Sequence, residues 1–189
     1  MADGRRRPAR TQDAVTDILR TERLRLRLVT EADAPFFLQL VNDPAFIEYI
    51  GQRNLHTVGA AQAALRDGPI AMQARHGHSL YLVEPLGGGA PLGLSGLVKR
   101  DFLEHVDIGY AFLPEYRGRG YAFEAAQAVM LHARGLGIAR LAAFAAPDNA
   151  ASIALLLRLG LHFERQAVLA PGQPMVNVYM TALAPARDG

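Results

Sequence analysis

The segment from Asp107 to Ala126 constrains this chain more than any other part of the sequence. Residues 107–113 have the composition of a β-strand, Pro114 ends that run, and Gly118 and Gly120 follow closely. Small and apolar residues then recur at helical spacing, at Ala122, Ala125, Ala126, Val129, Met130 and Ala133. The pattern predicts a strand, a glycine loop and a helix, in that order.

A glycine loop that opens a helix is an anion-binding arrangement. The first N–H groups of a helix have no intrahelical acceptor, and they lie at the positive end of the helix dipole. Arg117 and Arg119 add charge, which favours a phosphate or pyrophosphate over a single carboxylate. The pair Gly118 and Gly120 lacks the third glycine of a dinucleotide fingerprint, and no Lys-Ser/Thr pair follows as in a P-loop.

The loop Arg117-x-x-Gly120-x-Ala122, placed directly after a strand, resembles the Q/R-x-x-G-x-G/A pyrophosphate loop of the GNAT acyl-CoA N-acetyltransferase superfamily. Further matches between Lys99 and Ala125 are similar to the branch typified by the ribosomal-protein N-terminal-alanine acetyltransferases. The resemblance implies acetyl-CoA as co-substrate. It places the loop amides on the pyrophosphate and the preceding strand beside the pantetheine arm.

The resemblance also implies an α/β (α+β) fold with flanking helices. Its mixed, mostly antiparallel sheet would have about seven strands, an ordinary size, with a β-bulge or splay after the fourth. Strand-like patterns occur at residues 23–28, 78–84, 92–99, 105–112, 141–145, 162–168 and 175–182. In the first of these, leucines alternate with Arg23, Arg25 and Arg27, which predicts one solvated face.

Helices are predicted between these strands. They cover residues 11–19, the segment after Thr30, the region of Phe46, Thr57 to Leu65, the run that begins at Tyr121 and has Gly135 as its C′ residue, just past its end, and the segment after Pro147. Asp67-Gly-Pro69 is expected to stop the helix from Thr57 to Leu65, because proline lacks the N–H group that continues a helix.

By the resemblance, three places contact acetyl-CoA. The loop contributes Arg117, Gly118, Arg119, Gly120, Tyr121 and Ala122, and the end of the strand before it contributes Phe112 and Leu113, whose backbone would support the thioester oxyanion. Asn149-x-x-Ser152 is similar to the second cofactor motif of the family. An ordinary helix N-cap would also explain Asn149 and Ser152, because both residue types are favoured there.

Acetyl transfer from a thioester to an amine requires a neutral amine, support for the oxyanion and a proton for the leaving thiolate. Asp107 is the candidate base, directly or through a water molecule, and the alternative is a solvated surface carboxylate. Ser152 is the candidate proton donor to the thiolate, with Tyr110 as the second candidate. Alternation along the strand puts Asp107 and Tyr110 on opposite faces.

The composition limits the alternatives. A 189-residue chain that is 50% hydrophobic can form one substantial core, so we expect a single acyltransferase domain over residues 20–185 after a flexible basic arm, residues 1–19. A net charge of +2 does not support specific nucleic-acid binding. There is no cysteine, and His76 and His78 have no further ligand at matching spacing, so no metal is expected.

No run approaches the ~20 apolar residues of a membrane span, and no apolar signal core begins the sequence. We therefore expect a cytoplasmic protein, monomeric or homodimeric, with no membrane partner.

Two function classes fit the sequence. The first is an acetyl-CoA-dependent N-acetyltransferase in which the amine attacks directly in a ternary complex. Its acceptor would be a protein N-terminal α-amine or a small amine such as an antibiotic, a polyamine or an amino acid. The second is a non-catalytic acyl-CoA-binding module on the same fold. Phe46, Glu48 and Tyr49 are expected at the acceptor entrance, although both aromatic residues could equally belong to the core.

Overall fold

The structure is a computed structural model of the 189-residue chain, and it describes residues 16–101 and 103–183. Within these two ranges eight strands form one sheet: β1 (Asp17–Arg20), β2 (Leu24–Arg27), β3 (Leu80–Pro85), β4 (Gly93–Val98), β5 (Val106–Phe112), β6 (Arg140–Ala145), β7 (His162–Val168) and β8 (Met175–Ala182). Residues 1–15, which make up most of the predicted basic arm, lie outside the described residues.

In the described residues six α-helices connect the strands: α1 (Ala34–Val41), α2 (Pro44–Tyr49), α3 (Val58–Leu65), α4 (Ala71–His76), α5 (Tyr121–Gly135) and α6 (Ala150–Arg158). Side-chain caps begin three of them: Asp43 accepts the Phe46 N–H, Thr57 accepts the Ala60 N–H, and the cap of α6 is described below. None of the helices in residues 16–101 and 103–183 is long and apolar enough to cross a membrane.

The strand order is β1-β2-β3-β4-β5-β6-β8-β7. Neighbouring strands are antiparallel except β5 and β6, which run parallel and are connected by α5. The predicted mixed, mostly antiparallel sheet is therefore confirmed. If β2 is counted as the first strand, the sheet opens beside the fourth strand, β5, as expected.

Each face of the sheet carries its own apolar cluster. On one face lie α5 and α6, and the five α5 residues Ala125, Ala126, Val129, Met130 and Ala133 are buried there, as the helical spacing predicts. On the other face, α1, α2 and α3 cover Leu82 and Leu94. Since burying one large aliphatic side chain contributes about 1.5–3 kcal/mol, these two clusters hold the helices on the sheet.

The residues from Asp17 to Arg20 differ from the prediction. They were expected to end a short helix, but they form β1 and pair with β2. The sheet therefore has eight strands instead of seven. A four-residue strand at a sheet edge has little pattern of its own, and its pairing with β2 decides its conformation.

The solvated face predicted for β2 is wrong at Arg27, which is 8% exposed. The guanidinium group donates two hydrogen bonds to Asp33, at 2.9 and 2.7 Å, and one to Glu84 at 2.8 Å. Helix α1 and the turn before it cover this position, so the charge is buried with two carboxylates.

Two helix ends also differ from the prediction. The segment Asp67-Gly-Pro69 does not stop α3, because residues 66–70 form a π-helical turn that continues into α4 with Pro69 inside it. The wider turn accommodates a residue that has no N–H to donate. Helix α5 includes Gly135, and the left-handed glycine after its end is Gly137, whose N–H donates to the Arg134 carbonyl.

Candidate active site

The sheet opens between β5 and β6. Within the described sheet these strands pair only at Val106 with Leu141 and at Asp107 with Ala142. Beyond that point β5 stays paired with β4 as far as Phe112, and β6 stays paired with β8 as far as Ala145. The two strands therefore diverge and leave a gap, into which the unpaired edge of β5 faces.

The glycine loop lies at the wide end of this gap. Gly118 and Gly120 have φ angles of +71° and +80°, which residues with a side chain rarely adopt. Gly120 is the N-cap of α5. In the part of the chain that the structure describes, the N–H groups of residues 118–123 donate to no carbonyl or side chain. Such a row of unpaired donors at the start of a fifteen-residue helix suits a pyrophosphate.

The side chain of Arg117 is 39% exposed, but two contacts hold its guanidinium group. Its Nε donates to the Phe112 carbonyl at 2.8 Å, and an Nη forms an ion pair with Asp43, the N-cap residue of α2. Arg117 thus connects the loop to the helices on the other side of the gap. Both loop arginines, Arg117 and Arg119, are exposed, and the predicted contact of each with coenzyme A remains a prediction.

The sequence reasoning missed a second loop contact, made by Arg23 in the turn between β1 and β2. Arg23 binds Glu124 of α5 and the carbonyl of Arg119. In the sequence Glu124 lies 101 positions after Arg23, and Arg119 lies 96 positions after it. The sequence signal for Arg23 was the alternation of arginine and leucine over residues 23–28. That pattern does not show which residues the arginines contact.

Tyr110 of β5 and Ser152 of α6 meet across the gap. Their hydroxyl oxygens are 2.9 Å apart. Burial raises the pKa of Tyr110 to about 12, although the hydrogen bond with Ser152 acts to lower it. Tyr110 therefore stays protonated at neutral pH and can donate a proton.

Asn149 is the N-cap of α6, and its Oδ1 accepts the Ser152 N–H at 3.0 Å. The ordinary helix cap weighed for this motif is thus present at Asn149. Ser152 itself is not the cap residue, because its hydroxyl group faces Tyr110. The cap determines where that hydroxyl lies.

The backbone groups predicted to support the oxyanion differ in their surroundings. The Leu113 N–H donates to the Leu92 carbonyl at 3.0 Å, and the Leu113 carbonyl accepts the Tyr116 N–H at 3.0 Å. Because successive N–H groups of a strand point to opposite sides, the Phe112 N–H points away from β4 and into the gap. Of the two backbone N–H groups, that of Phe112 is therefore better placed than that of Leu113 to support the oxyanion.

Asp107 lies where β5 and β6 separate, and it is 2% exposed. The alternative of a solvated surface carboxylate is therefore wrong. Burial raises the pKa of Asp107, while two hydrogen bonds from Arg100, at 3.0 and 3.3 Å, act to lower it. Its role as the base remains a prediction.

The C-terminal end of α2 lies beside the gap. Phe46 is 8% exposed and belongs to the core on that face, whereas Tyr49 is half-buried. The charge of Glu48, with smaller effects of burial and of Asp148, raises the pKa of Tyr49. Since Asp148 precedes α6, this end of α2 approaches the loop on the far side of the gap.

Among the described residues, no group of three or more His, Asp or Glu side chains could hold a metal ion. The groups described above for the candidate site are backbone donors, two hydroxyl groups and a buried carboxylate.

Comparison with known proteins places this arrangement in a family. Residues 23–162 match the acetyltransferase (GNAT) domain. The chain belongs to the GNAT acetyltransferase family. The uncharacterized N-acetyltransferase YoaA of Bacillus subtilis (strain 168) is 29% identical to it over 171 residues, which cover 86% of this chain and 94% of YoaA.

Solved structures share the fold of this GNAT acetyltransferase. RimL, the ribosomal L7/L12 α-N-protein acetyltransferase, in complex with coenzyme A has a TM-score of 0.75 at 21% identity, covering 89% of this chain and 98% of RimL. MccE, the microcin C7 self-immunity acetyltransferase, in complex with acetyl-CoA and AMP has a TM-score of 0.71 at 17% identity, covering 86% of this chain and 94% of MccE.

Proposed function

We propose that this GNAT acetyltransferase transfers the acetyl group of acetyl-CoA directly to a primary amine while both substrates are bound. The preferred acceptor is a protein N-terminal α-amine, and small amino compounds come second. The observation that carries the proposal is the row of unpaired N–H groups at residues 118–123, beside the gap between β5 and β6.

The loop and the strand edge fit the two ends of coenzyme A. The loop amides and the exposed Arg119 bind the pyrophosphate. The unpaired edge of β5 offers peptide groups to the amides of the pantetheine arm, much as a neighbouring strand would. The acetyl thioester then lies in the gap, near the Phe112 N–H and the Tyr110–Ser152 pair.

The structure of RimL with coenzyme A and that of MccE with acetyl-CoA support this assignment, because both proteins share the fold. RimL is named for acetylation of an α-amino group of a ribosomal protein, and MccE for immunity to a microcin. A protein acceptor and a small-molecule acceptor therefore both occur on this fold. We favour the α-amine because its pKa leaves a usable neutral fraction at pH 7.

The two proton transfers are assigned to opposite faces of β5. The ammonium group of the acceptor loses its proton to Asp107, directly or through water, and the amine nitrogen forms the new C–N bond as the C–S bond breaks. The leaving thiolate takes a proton from the Tyr110–Ser152 pair, and the second proton that the nitrogen loses on becoming an amide passes through water to restore that pair. Asp107 and Tyr110 are separated by three positions, an odd number, so their side chains point to opposite faces.

A turnover assay tests the proposal. The full chain is incubated with acetyl-CoA and a panel of peptides with free N-termini, amino acids, polyamines and aminoglycosides, and free thiol and acetylated product are both measured. We expect thiol release that matches product formation for at least one amine. Binding of coenzyme A by calorimetry without acetylation of any amine would instead support a non-catalytic acyl-CoA-binding module.

A further inference from the structure

Arg23 contacts the glycine loop and the first turn of α5 at four points. Its N–H and its Nε donate to Glu124 at 2.9 and 2.6 Å, and its Nη1 donates to the Arg119 carbonyl at 3.1 Å. Its guanidinium carbon also lies 4.7 Å from the centre of the Tyr121 ring. Thr21, in the same turn, donates a further hydrogen bond to Glu124.

These contacts are made at the surface. The side chain of Arg23 is 45% exposed and that of Glu124 is 18% exposed. An exposed ion pair usually contributes little to folding. Burial would raise the pKa of Glu124, but the hydrogen bonds from Thr21 and Arg23 outweigh it and lower that pKa, so the carboxylate is charged at neutral pH.

The contact with Arg119 orients one peptide group of the loop. In a trans peptide, the carbonyl of one residue and the N–H of the next point in opposite directions. Because the Arg119 carbonyl points toward Arg23, the Gly120 N–H points away from it. The Gly120 N–H is one of the unpaired donors of the loop.

A loop with two left-handed glycines has several conformations of similar energy when nothing holds it. A loop that is already held in its binding conformation loses less conformational freedom when the ligand binds. Each contact of Arg23 is therefore a restraint on the conformation that presents the amides.

We propose that Arg23 is a positioning residue for the pyrophosphate of acetyl-CoA. It holds the Arg119–Gly120 peptide so that the Gly120 N–H faces the phosphate, and Glu124 anchors Arg23. The inference rests on the proposed function, because it assigns a role in the binding of the same co-substrate.

Charge alone predicts a different role for Glu124. A carboxylate in the first turn of α5 repels a phosphate bound at that helix end, so its removal should tighten binding. If Glu124 instead anchors Arg23, its removal should weaken binding, because the loop loses its restraint. The two explanations therefore predict opposite changes in the Kd for coenzyme A when Glu124 is replaced.

Calorimetric titration of the full chain with coenzyme A tests the proposal. The variants are Arg23→Gln, Arg23→Lys, Glu124→Ala and the double variant Arg23→Gln/Glu124→Ala, each checked for a cooperative thermal transition. We expect Arg23→Gln and Glu124→Ala each to raise Kd about tenfold, and the double variant to be little worse than either single one. Arg23→Lys should not restore affinity, since an ammonium group lacks the planar fork that spans Glu124 and the Arg119 carbonyl.

Arg20→Gln is the matched control. Arg20 belongs to the neighbouring strand, is 67% exposed and pairs with Asp17 of its own strand, so its replacement removes the same charge without touching the loop. Its Kd for coenzyme A should equal that of the unmodified chain.

Tighter binding by Glu124→Ala, or full rescue by Arg23→Lys, would overturn the inference in favour of charge alone. If Arg23→Gln fails to fold, Glu124→Ala still decides, because the sign of its effect separates the two explanations. An unmodified chain that binds coenzyme A while Arg23→Gln binds equally well contradicts the inference only. An unmodified chain that does not bind coenzyme A contradicts the proposed function as well.

Discussion

The hydroxyl groups of Tyr110 and Ser152 lie 2.9 Å apart and join the elements on the two sides of the gap between β5 and β6. Asn149 caps α6 by accepting the Ser152 N–H, so the helix start does not depend on the Ser152 side chain. The pair is therefore available to deliver a proton into the gap.

Ser152→Ala and Tyr110→Phe are each expected to lower kcat by about 10²-fold, at the lower end of the range for proton-transfer groups, because the thiolate then leaves without its donor. The KM for acetyl-CoA should change little, since neither hydroxyl belongs to the pyrophosphate loop. Steady-state kinetics of the two variants and of the double variant measure this. If the hydroxyls act as one unit, the double variant is little slower than either single variant.

Asn149→Ala measures how much stability is lost when the cap of α6 is removed. It removes the helix cap and should lower the free energy of unfolding by about 1 kcal/mol. A Ser152→Ala variant that loses comparable stability and keeps a normal kcat would show that the hydroxyl only supports the fold.

Gly120→Val should weaken the binding of acetyl-CoA by at least tenfold, about 1.4 kcal/mol. At a φ of +80° a β-branched residue is strained, and a Cβ atom there would lie 3.3 Å from an Nη of Arg23. The loop must therefore change conformation and turn its amides away from the phosphate. Calorimetric titration of the folded variant measures the change.

Gly135→Ala is the matched glycine control. Gly135 lies in α5, has no positive φ, and an added Cβ would meet no atom within 4 Å. Alanine should stabilise the helix slightly and leave the affinity for acetyl-CoA unchanged. Unchanged affinity in folded Gly120→Val would contradict the assignment of this loop to the pyrophosphate.

Local patterns predicted the signature segment and the last hairpin well. The helix begins at Tyr121 and buries the expected small residues, and β7 and β8 have the predicted limits around Pro171 and Pro174. In these segments the local periodicity and the packing of the chain favour the same structure.

Contacts between distant residues could not be predicted in the same way. Arg117 looks like a phosphate ligand in the sequence, but it binds Asp43, 74 positions earlier. Asp107 looks like a surface acid until β4, β6 and Arg100 cover it. Which residues meet depends on the strand order and on the helices that cover each face, and a single sequence pattern does not contain either.

Arg27→Met should lower the free energy of unfolding by about 3–5 kcal/mol at pH 7, because Asp33 and Glu84 would be left as buried carboxylates without their partner. Burial would raise the pKa of Asp33, but the hydrogen bonds from Arg27 and Thr30 outweigh it and lower the pKa below 3.8. The stabilisation by Asp33 is therefore present above that value and is lost as the pH falls below it. Urea unfolding at pH 7 and near pH 3.5 should show the difference between the two proteins shrinking at the lower pH.

Arg66→Met serves as the control for this prediction. Arg66 is 55% exposed and lies 3.6 Å from the exposed Glu31. Its replacement should change the free energy of unfolding by less than ~0.5 kcal/mol at either pH. An equally small effect of Arg27→Met would mean that the buried pair contributes no more than a surface pair.

The acceptor is expected to be an α-amine, and the reason is the strength of the base. An α-amine with a pKa of about 7.7–8.0 is roughly one-tenth neutral at pH 7, whereas a lysine side chain with a pKa near ~10.4 is neutral in fewer than about one molecule in a thousand. Burial raises the pKa of Asp107 although its hydrogen bonds with Arg100 act against this, but a carboxylate is still a weak base for a lysine ammonium group, because the usual pKa values of the two groups differ by about six units.

Peptides with a free N-terminus and no lysine should therefore be acetylated with a higher kcat/KM than N-terminally blocked peptides that contain one lysine. For the first group, kcat/KM should rise with pH and level off near pH 8, where the α-amine loses its proton. Glu48→Gln should lower kcat/KM for these cationic acceptors, because Glu48 is an exposed carboxylate beside the gap, and Glu164→Gln on β7 should not. Equal or faster acetylation of the lysine peptides, with a rate that still rises above pH 9, would require a stronger base than Asp107 and would contradict the α-amine assignment.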